Sequence, residues 1–212
     1  MESVKKQYYE KRGQILVKNL RSRHFDAVYC DNAAEALEKA LAWIPGEATV
    51  GWGGCRSVQQ IGLLDAVKNG PYHAYDRDTC ATPEERTRMM KKALTADVFL
   101  TGANALSLDG QMVNIDGIGN RVAAIVYGPD TVLVVAGMNK VMDTLEDAVT
   151  RVRSVAAPVN NQRFDNQNPC KTTGSCADCK CETCICNQIL VTRNCRPAGR
   201  IKFILVGEDL GF

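Results

Sequence analysis

The chain has 212 residues, enough for one well-buried core or at most two small domains. Hydrophobic residues make up 45% and charged residues 24%, the balance of an ordinary soluble globular protein. A formal net charge of +2 is too near neutrality to argue for nucleic acid or an anionic membrane as partner. The opening MESVKKQYYEKRGQ is charged throughout, unlike a signal peptide, and no segment approaches the ~20 apolar residues of a membrane span. The expectation is a cytoplasmic protein whose thiols stay reduced. There, cysteine clusters bind metal or do redox chemistry more often than they form structural disulfides.

In chain order, residues 3–23 read as a helix with Tyr8, Ile15, Leu16 and Leu20 on its apolar face. Ala27–Cys30 is a short strand, and Asp31 is placed as the cap of a helix over 32–44 that Pro45-Gly46 ends. Ala48–Val50 is a strand running into Gly51-Trp52-Gly53-Gly54. Ser57 is placed as the N-cap of a helix ending at Asn69-Gly70-Pro71, and Tyr72–Tyr75 is strand-like. Thr82-Pro83-Glu84-Glu85 opens a further helix, with proline in the first turn and acids toward the positive end of the dipole. Asp97–Thr101 is a buried strand. Asp109-Gly110, Asp116-Gly117 and Gly128-Pro129 then punctuate a hairpin, a strand over 121–127 and a strand over 131–136.

Residues 143–155 form an amphipathic helix with Leu145, Ala148, Val149 and Val152 inward, ended by Pro158. The stretch 159–199 is polar, cysteine-rich and largely irregular, and Ile201–Val206 is a final strand too apolar to stand alone. Alternating strands and helices predict an α/β fold: a mostly parallel sheet flanked by helices. The expectation is a single unit over 1–212, with 159–199 as an excursion before the last core strand.

Four places are candidates for chemistry, each weighed against a plain turn or solvated surface. Gly51, Gly53 and Gly54 lie between a strand and a helix, where the backbone can approach a ligand closely. Arg56 and Ser57 can add donors to a phosphate or carboxylate. This loop is neither G-x-G-x-x-G nor a P-loop, so no nucleotide cofactor is evident. Asn114, Asp116, Gly117, Gly119, Asn120 and Arg121 crowd polar groups into eight residues, with Asn104 and Asp109 just upstream. A bare hairpin turn needs only Asp-Gly; the alternative is a turn network satisfying its own backbone. Asn139 and Lys140 follow a strand, where ligands of open α/β sheets sit, and Lys140 would supply a cation or a Schiff-base amine. Seven of the ten cysteines fall between Cys170 and Cys195. The pairs Cys176-x-x-Cys179 and Cys181-x-x-Cys184 let two sulfurs converge on one ion at roughly 2.3 Å, as in zinc and iron–sulfur sites. His24 and His73 have no ligand-like spacing with the cysteines and read as surface or packing residues. Cys30 and Cys80 read as structural, and Cys55 has no evident base beside it.

With those residues in hand, the chain resembles the LUD-domain (lactate utilization) family over most of its length. The resemblance rests on an ordered series: GWGGCRS, TGANALSLDGQMVNIDGIGNRVAAIVYGP, VVAGMNKV, AAPVNNQRF, PCKTTGSCADC and the closing GRIKFILVGEDLGF. It implies a fold similar to ribose-5-phosphate isomerase, glucosamine-6-phosphate deaminase and CoA transferases, in which a glycine-rich turn cradles a phosphate or acyl group. It implies an accessory or redox component in oxidation of L-lactate, or a related hydroxy acid, to pyruvate, beside an iron–sulfur redox partner protein. Cys170, Cys176, Cys179 and Cys186 match the repeated cysteine positions of family members. Cys181, Cys184 and Cys195 are extra, and Cys176, Cys179, Cys181 and Cys184 offer a rival four-sulfur frame. The centre they would hold is an iron–sulfur cluster or zinc. The alternative function is a non-catalytic metabolite-binding or regulatory module with structural zinc. In both readings the ligand is a small anionic metabolite, and a homo-oligomer is left open.

Overall fold

The computed structural model describes residues 2–212; Met1, the first residue of the unit expected over 1–212, lies outside them. Helix α1 (Glu2–Ser22) buries Tyr9, Leu16, Val17 and Leu20. Tyr8 and Ile15, expected on that face, are exposed. The fully buried Leu16 and Leu20 fix the phase of the stripe, and Tyr9 lies two turns before Leu16. Its hydroxyl also donates to Asp209 at 2.7 Å.

Strand β1 (Asp26–Cys30) leads to α2 (Ala33–Ala42). Asn32, not Asp31, caps α2: its side chain accepts from the Glu35 N–H while the Glu35 carboxylate accepts from the Asp31 N–H. After β2 (Thr49–Trp52), the single helix expected from Ser57 onward is two, α3 (Arg56–Gln60) and α4 (Leu63–Asn69). Gly62 breaks it at φ +79, a left-handed turn that glycine takes without strain. The cap of α3 is Cys55, whose sulfur accepts from the Val58 N–H, and Ser57 is buried within the first turn. Strand β3 (His73–Tyr75), α5 (Pro83–Lys92, capped by Thr82) and β4 (Val98–Gly102) follow as expected.

Strands β5 (Ala105–Ser107) and β6 (Met112–Asp116) form the expected antiparallel hairpin. The strand expected over 121–127 is a helix, α6 (Asn120–Val126). Gly119 turns the chain at φ +87, and the Asp116 carboxylate accepts from the Arg121 and Val122 N–H groups at 3.1 and 3.2 Å. Val122, Ala124 and Ile125 are buried and Ala123 and Val126 exposed, which is a helical rather than an alternating pattern. Strand β7 (Thr131–Gly137) is buried almost throughout, and the two-residue β8 (Val141–Met142) comes next. Helix α7 (Leu145–Arg151) runs through a π turn (Val152–Ala156) into α8 (Ala157–Asn161), so Pro158 does not end it. Proline sits in the first turn of α8, where its missing N–H costs least, and the widened turn before it absorbs the ring. Within the cysteine-rich stretch lie α9 (Pro169–Thr173) and a strand not expected there, β9 (Gln188–Thr192). Strand β10 (Ile201–Val206) closes the series.

Within the described residues, six strands form an all-parallel sheet in the order β1-β10-β7-β4-β2-β3, and β8-β5-β6-β9 form a second, mixed sheet. The final strand therefore enters the main sheet as an interior strand, between the edge strand β1 and β7. One face of the parallel sheet packs Leu133, Val135, Ile204 and Val206 against α2, α3 and α4. The other packs Val132, Val134, Phe203 and Leu205 against α1 and the hairpin residues Leu106 and Met112. Outside the hairpin, α7 and the π turn cover Ala105, Val113 and Ile115. Two excursions from the parallel sheet, after β4 and after β7, thus build the second sheet and set it over the carboxyl ends of the first.

Candidate functional site

Between those carboxyl ends and the second sheet lies a cavity of about 350 Å³. Its floor comes from the loops after the parallel strands: Gly54, Cys55 and Arg56 after β2, Arg77 after β3, Gly102 to Asn104 after β4, and Lys140 after β7. Its roof comes from Asp116, Gly117, Asn120 and Arg121 and from the helix that crosses Pro158. This is the crevice in which open α/β sheets bind ligands. Six cationic side chains line it, Arg56, Arg77, Arg86, Arg121, Lys140 and Arg163, against one carboxylate side chain, that of Asp116.

Arg77, which sequence reasoning missed, is the most telling of these. Its Nη2 lies 3.0 Å from where a Cβ on Gly54 would be, so the bare glycine backbone leaves room for the guanidinium. Its Nε is buried without a hydrogen-bond partner, 3.7 Å from Asp78, beyond hydrogen-bond range. Burial lowers its pKa, offset by Asp78 and Asp116 and reinforced by Arg86 and Arg121. The available signal was position: Arg77 follows a strand-like segment, where loops of a parallel sheet carry function.

Arg121 is held more tightly. Its Nη2 donates to Asn104 Oδ1 at 3.0 Å and to the Ile115 carbonyl, and its aliphatic stem lies against Gly53, 3.2 Å from a Cβ there. Asn104 Oδ1 also accepts from the Ile115 N–H at 3.0 Å. Asp116 caps α6 and sits 3.9 Å from the Arg121 Nε, so its charge is already committed. Lys140 is 4% exposed, and its Nζ donates to Ser57 Oγ at 2.9 Å.

Gly54, Arg56, Asn104, Asp116, Gly117, Asn120, Arg121 and Lys140 thus meet at one cavity. The other residues singled out from the sequence stand behind it or apart. Gly51 is a packing glycine, 2.6 Å from the Ala93 Cβ if it had a Cβ of its own. Gly53 and Ser57 support Arg121 and Lys140. Asn114 is fully buried and ties the hairpin to β4 through the Gly102 carbonyl at 2.9 Å. Gly119 is the left-handed turn before α6, and Asn139 Oδ1 accepts from the Leu210 N–H at 3.1 Å. Asp109 is remote: it closes the hairpin turn with Ser107 and Gln111 and pairs with Arg23 at 2.6 Å.

The cysteine-rich segment docks on the rim of the same cavity. Ile185 lines it and lies 3.4 Å from a Cβ position on Gly117. The Asn187 N–H and amide donate to the Asp116 and Gly117 carbonyls at 2.8 and 3.0 Å. Buried Asn168 pins the segment from the other side, donating to the Thr183 carbonyl at 3.0 Å and accepting from its hydroxyl at 2.7 Å. Burial pushes the Cys186 thiol up to about 12, with Cys184, Cys170 and Cys176 adding to it. Burial, then Cys179, Cys176 and Cys184, raise Cys170. Burial and a contact with Cys179 raise Cys181. Thiols close enough to oppose one another's ionisation suit a thiophilic cation, which would relieve that repulsion. Among the described residues, no three histidine, cysteine or acidic groups converge on one ion-sized point. Cys195 stands apart, buried and hydrogen-bonded to the Pro197 carbonyl and the Ile201 N–H.

No helix among the described residues is long and apolar enough to cross a membrane. Among curated proteins, none matches the chain. Solved structures similar to it include a DUF162 family protein from Deinococcus radiodurans, at 13% identity over 97% of this chain and 98% of that one, with a TM-score of 0.48. Ribose 5-phosphate isomerase A from Neisseria gonorrhoeae matches at 17% identity over 57% and 62% of the two chains, with a TM-score of 0.35. The Methanocaldococcus jannaschii enzyme matches at 12% over 53% and 55%, with a TM-score of 0.33. The LUD domain family model matches residues 13–206, and the chain belongs to that family, which is associated with lactate utilization.

Proposed function

We propose that the cavity binds a small carboxylate, L-lactate or a related hydroxy acid and its oxo acid, in a protein that serves oxidation of the hydroxy acid to pyruvate as an accessory or redox component. The observation that carries this reading is the charge of the cavity: six cationic side chains face one committed carboxylate side chain in a space of about 350 Å³. A metabolite of a few heavy atoms fits that space with room to spare, and the Arg77 guanidinium that lines it can receive the carboxylate. Cys170, Cys176, Cys179 and Cys186, once drawn together from the separate positions they take here, would hold the metal centre, which as an iron–sulfur cluster supplies one-electron transfer when bound. The exposed Cys176 and Cys181 put that lobe where a cytoplasmic iron–sulfur partner could approach. Isothermal titration with L-lactate and with pyruvate tests the pocket. One saturable site per chain is expected, weakening as salt is raised, and Arg77→Met should weaken it at least tenfold. Absence of binding heat for either acid in folded protein would remove the reading.

A further inference from the structure

The floor of the cavity carries a primary amine in a setting that carboxylate binding alone does not call for. Lys140 is held by a short turn after β7, Met138–Lys140, whose middle residue is locked to the backbone of Leu210. The amine faces the cavity yet is nearly inaccessible to bulk water. Its hydrogen-bond partner is a neutral hydroxyl, Ser57, and no described carboxylate lies within ion-pair distance of it. The charged groups that act on it are the Cys55 thiol, which favours the ammonium, and Arg151 and Arg121, which oppose it. Gly211 closes over it, 2.9 Å from Nζ to where a Cβ would stand. Burial, first, and the two guanidiniums hold its pKa down to about 8, which leaves neutral amine available. A desolvated amine beside other cations is the recognised setting for attack on a carbonyl.

We propose that Lys140 condenses with the carbonyl of a small 2-oxo acid held in the cavity, forming a Schiff base; this rests on the carboxylate-binding reading above. From the ammonium form, one proton goes to solvent. The freed lone pair forms the C–N bond while the carbonyl π pair moves to oxygen. The two remaining N–H protons pass to that oxygen, with the Ser57 hydroxyl beside Nζ as relay, and the oxygen leaves as water. A solvent proton then returns to the imine nitrogen. A hydroxy acid has no carbonyl and cannot react. The site would therefore separate the oxidised acid from its reduced form by a covalent bond, where charge alone treats the two alike.

Reductive trapping decides the matter. The protein is incubated with pyruvate and sodium cyanoborohydride, and its intact mass and tryptic peptides are read by mass spectrometry. The expected result is one adduct, the mass of pyruvate less one oxygen, on the peptide containing Lys140. L-lactate should give none, and neither should Lys140→Met or Lys140→Arg with pyruvate. If the wild type binds pyruvate calorimetrically but gains no adduct, or the adduct maps to another lysine, the Schiff base is overturned and carboxylate binding stands. If it neither binds nor gains mass, both fall. The mapping on the wild type decides even if a variant does not fold.

Discussion

Lys140 is an expensive residue to fold around. Its lowering from 10.5 to about 8, at about 1.4 kcal/mol per unit, corresponds to about 3 kcal/mol of native-state cost at neutral pH. The sign is set by which state binds the proton. Below pH about 8 both folded and unfolded lysine are protonated and the full cost applies. Between about 8 and 10.5 the unfolded state binds more protons, so stability rises with pH, and above 10.5 the cost is gone. Lys140→Met should therefore unfold at higher urea than wild type at pH 7, by about 2–3 kcal/mol, and should lack that alkaline rise. An identical pH profile in the two proteins would show the amine to be better solvated than its burial indicates. Lys140 was legible as a candidate because it follows a strong strand, and Arg121 because it stands in a dense run of polar groups. Arg77 was not, because its role depends on a bare glycine twenty-three residues earlier, and that contact has no local signature.

At the scale of elements, the cysteine-rich segment behaves as a docked strap and not as an irregular loop. Its strand β9 pairs along the whole of β6, from Gln188 opposite Asp116 to Thr192 opposite Met112, and Asn168 pins its start. Asn168→Ala removes three side-chain hydrogen bonds, to Asn161 and Thr183, and should cost roughly 2 kcal/mol. It should also speed alkylation of Cys186 several-fold in reduced, metal-free protein, measured by mass spectrometry; unchanged labelling would mean that the thiol lobe is held by something else. The β composition of Ile189-Leu190-Val191-Thr192 was available to sequence reasoning and was overshadowed by the cysteines around it. The run Val122–Val126 misled for another reason. Short apolar runs fit strand or helix equally, and what settled it was Asp116 accepting two N–H groups at the start of the turn.

For the whole molecule, strand order matters most, because it brings the strap, the glycine loop and the arginines to one crevice. Ile185 lines the cavity between Cys184 and Cys186, and Asn187 donates to the Asp116 and Gly117 carbonyls at its rim, so a change in the thiol lobe should be transmitted to the cavity. Protein purified without oxygen should contain several irons per chain if the centre is an iron–sulfur cluster, and one zinc if it is structural, by elemental analysis. Protein with neither metal would remove the centre. Because Cys170 and Cys186 are raised by burial and by their neighbours, binding must displace thiol protons, so metal affinity should climb as pH rises. Removing the metal should weaken pyruvate binding through the shared rim, while Cys195, buried elsewhere, should be dispensable for metal content.

The chain by itself determined the α/β class, the parallel strands, the hairpin and the place of the sulfur-rich excursion before the last core strand. These follow from local rules: continuous β-branched runs for strands covered on both faces, Asp-Gly for a tight turn, and glycines where the backbone must approach another group. Only the tertiary structure decided that α6 is a helix, that the chain stays helical through Pro158, that Asp109 is far from the cavity and that Arg77 and Ile185 line it. Those outcomes depend on which loops meet at the carboxyl ends of strands widely separated in sequence, and that is set by non-local packing of the two sheets, which no local pattern records.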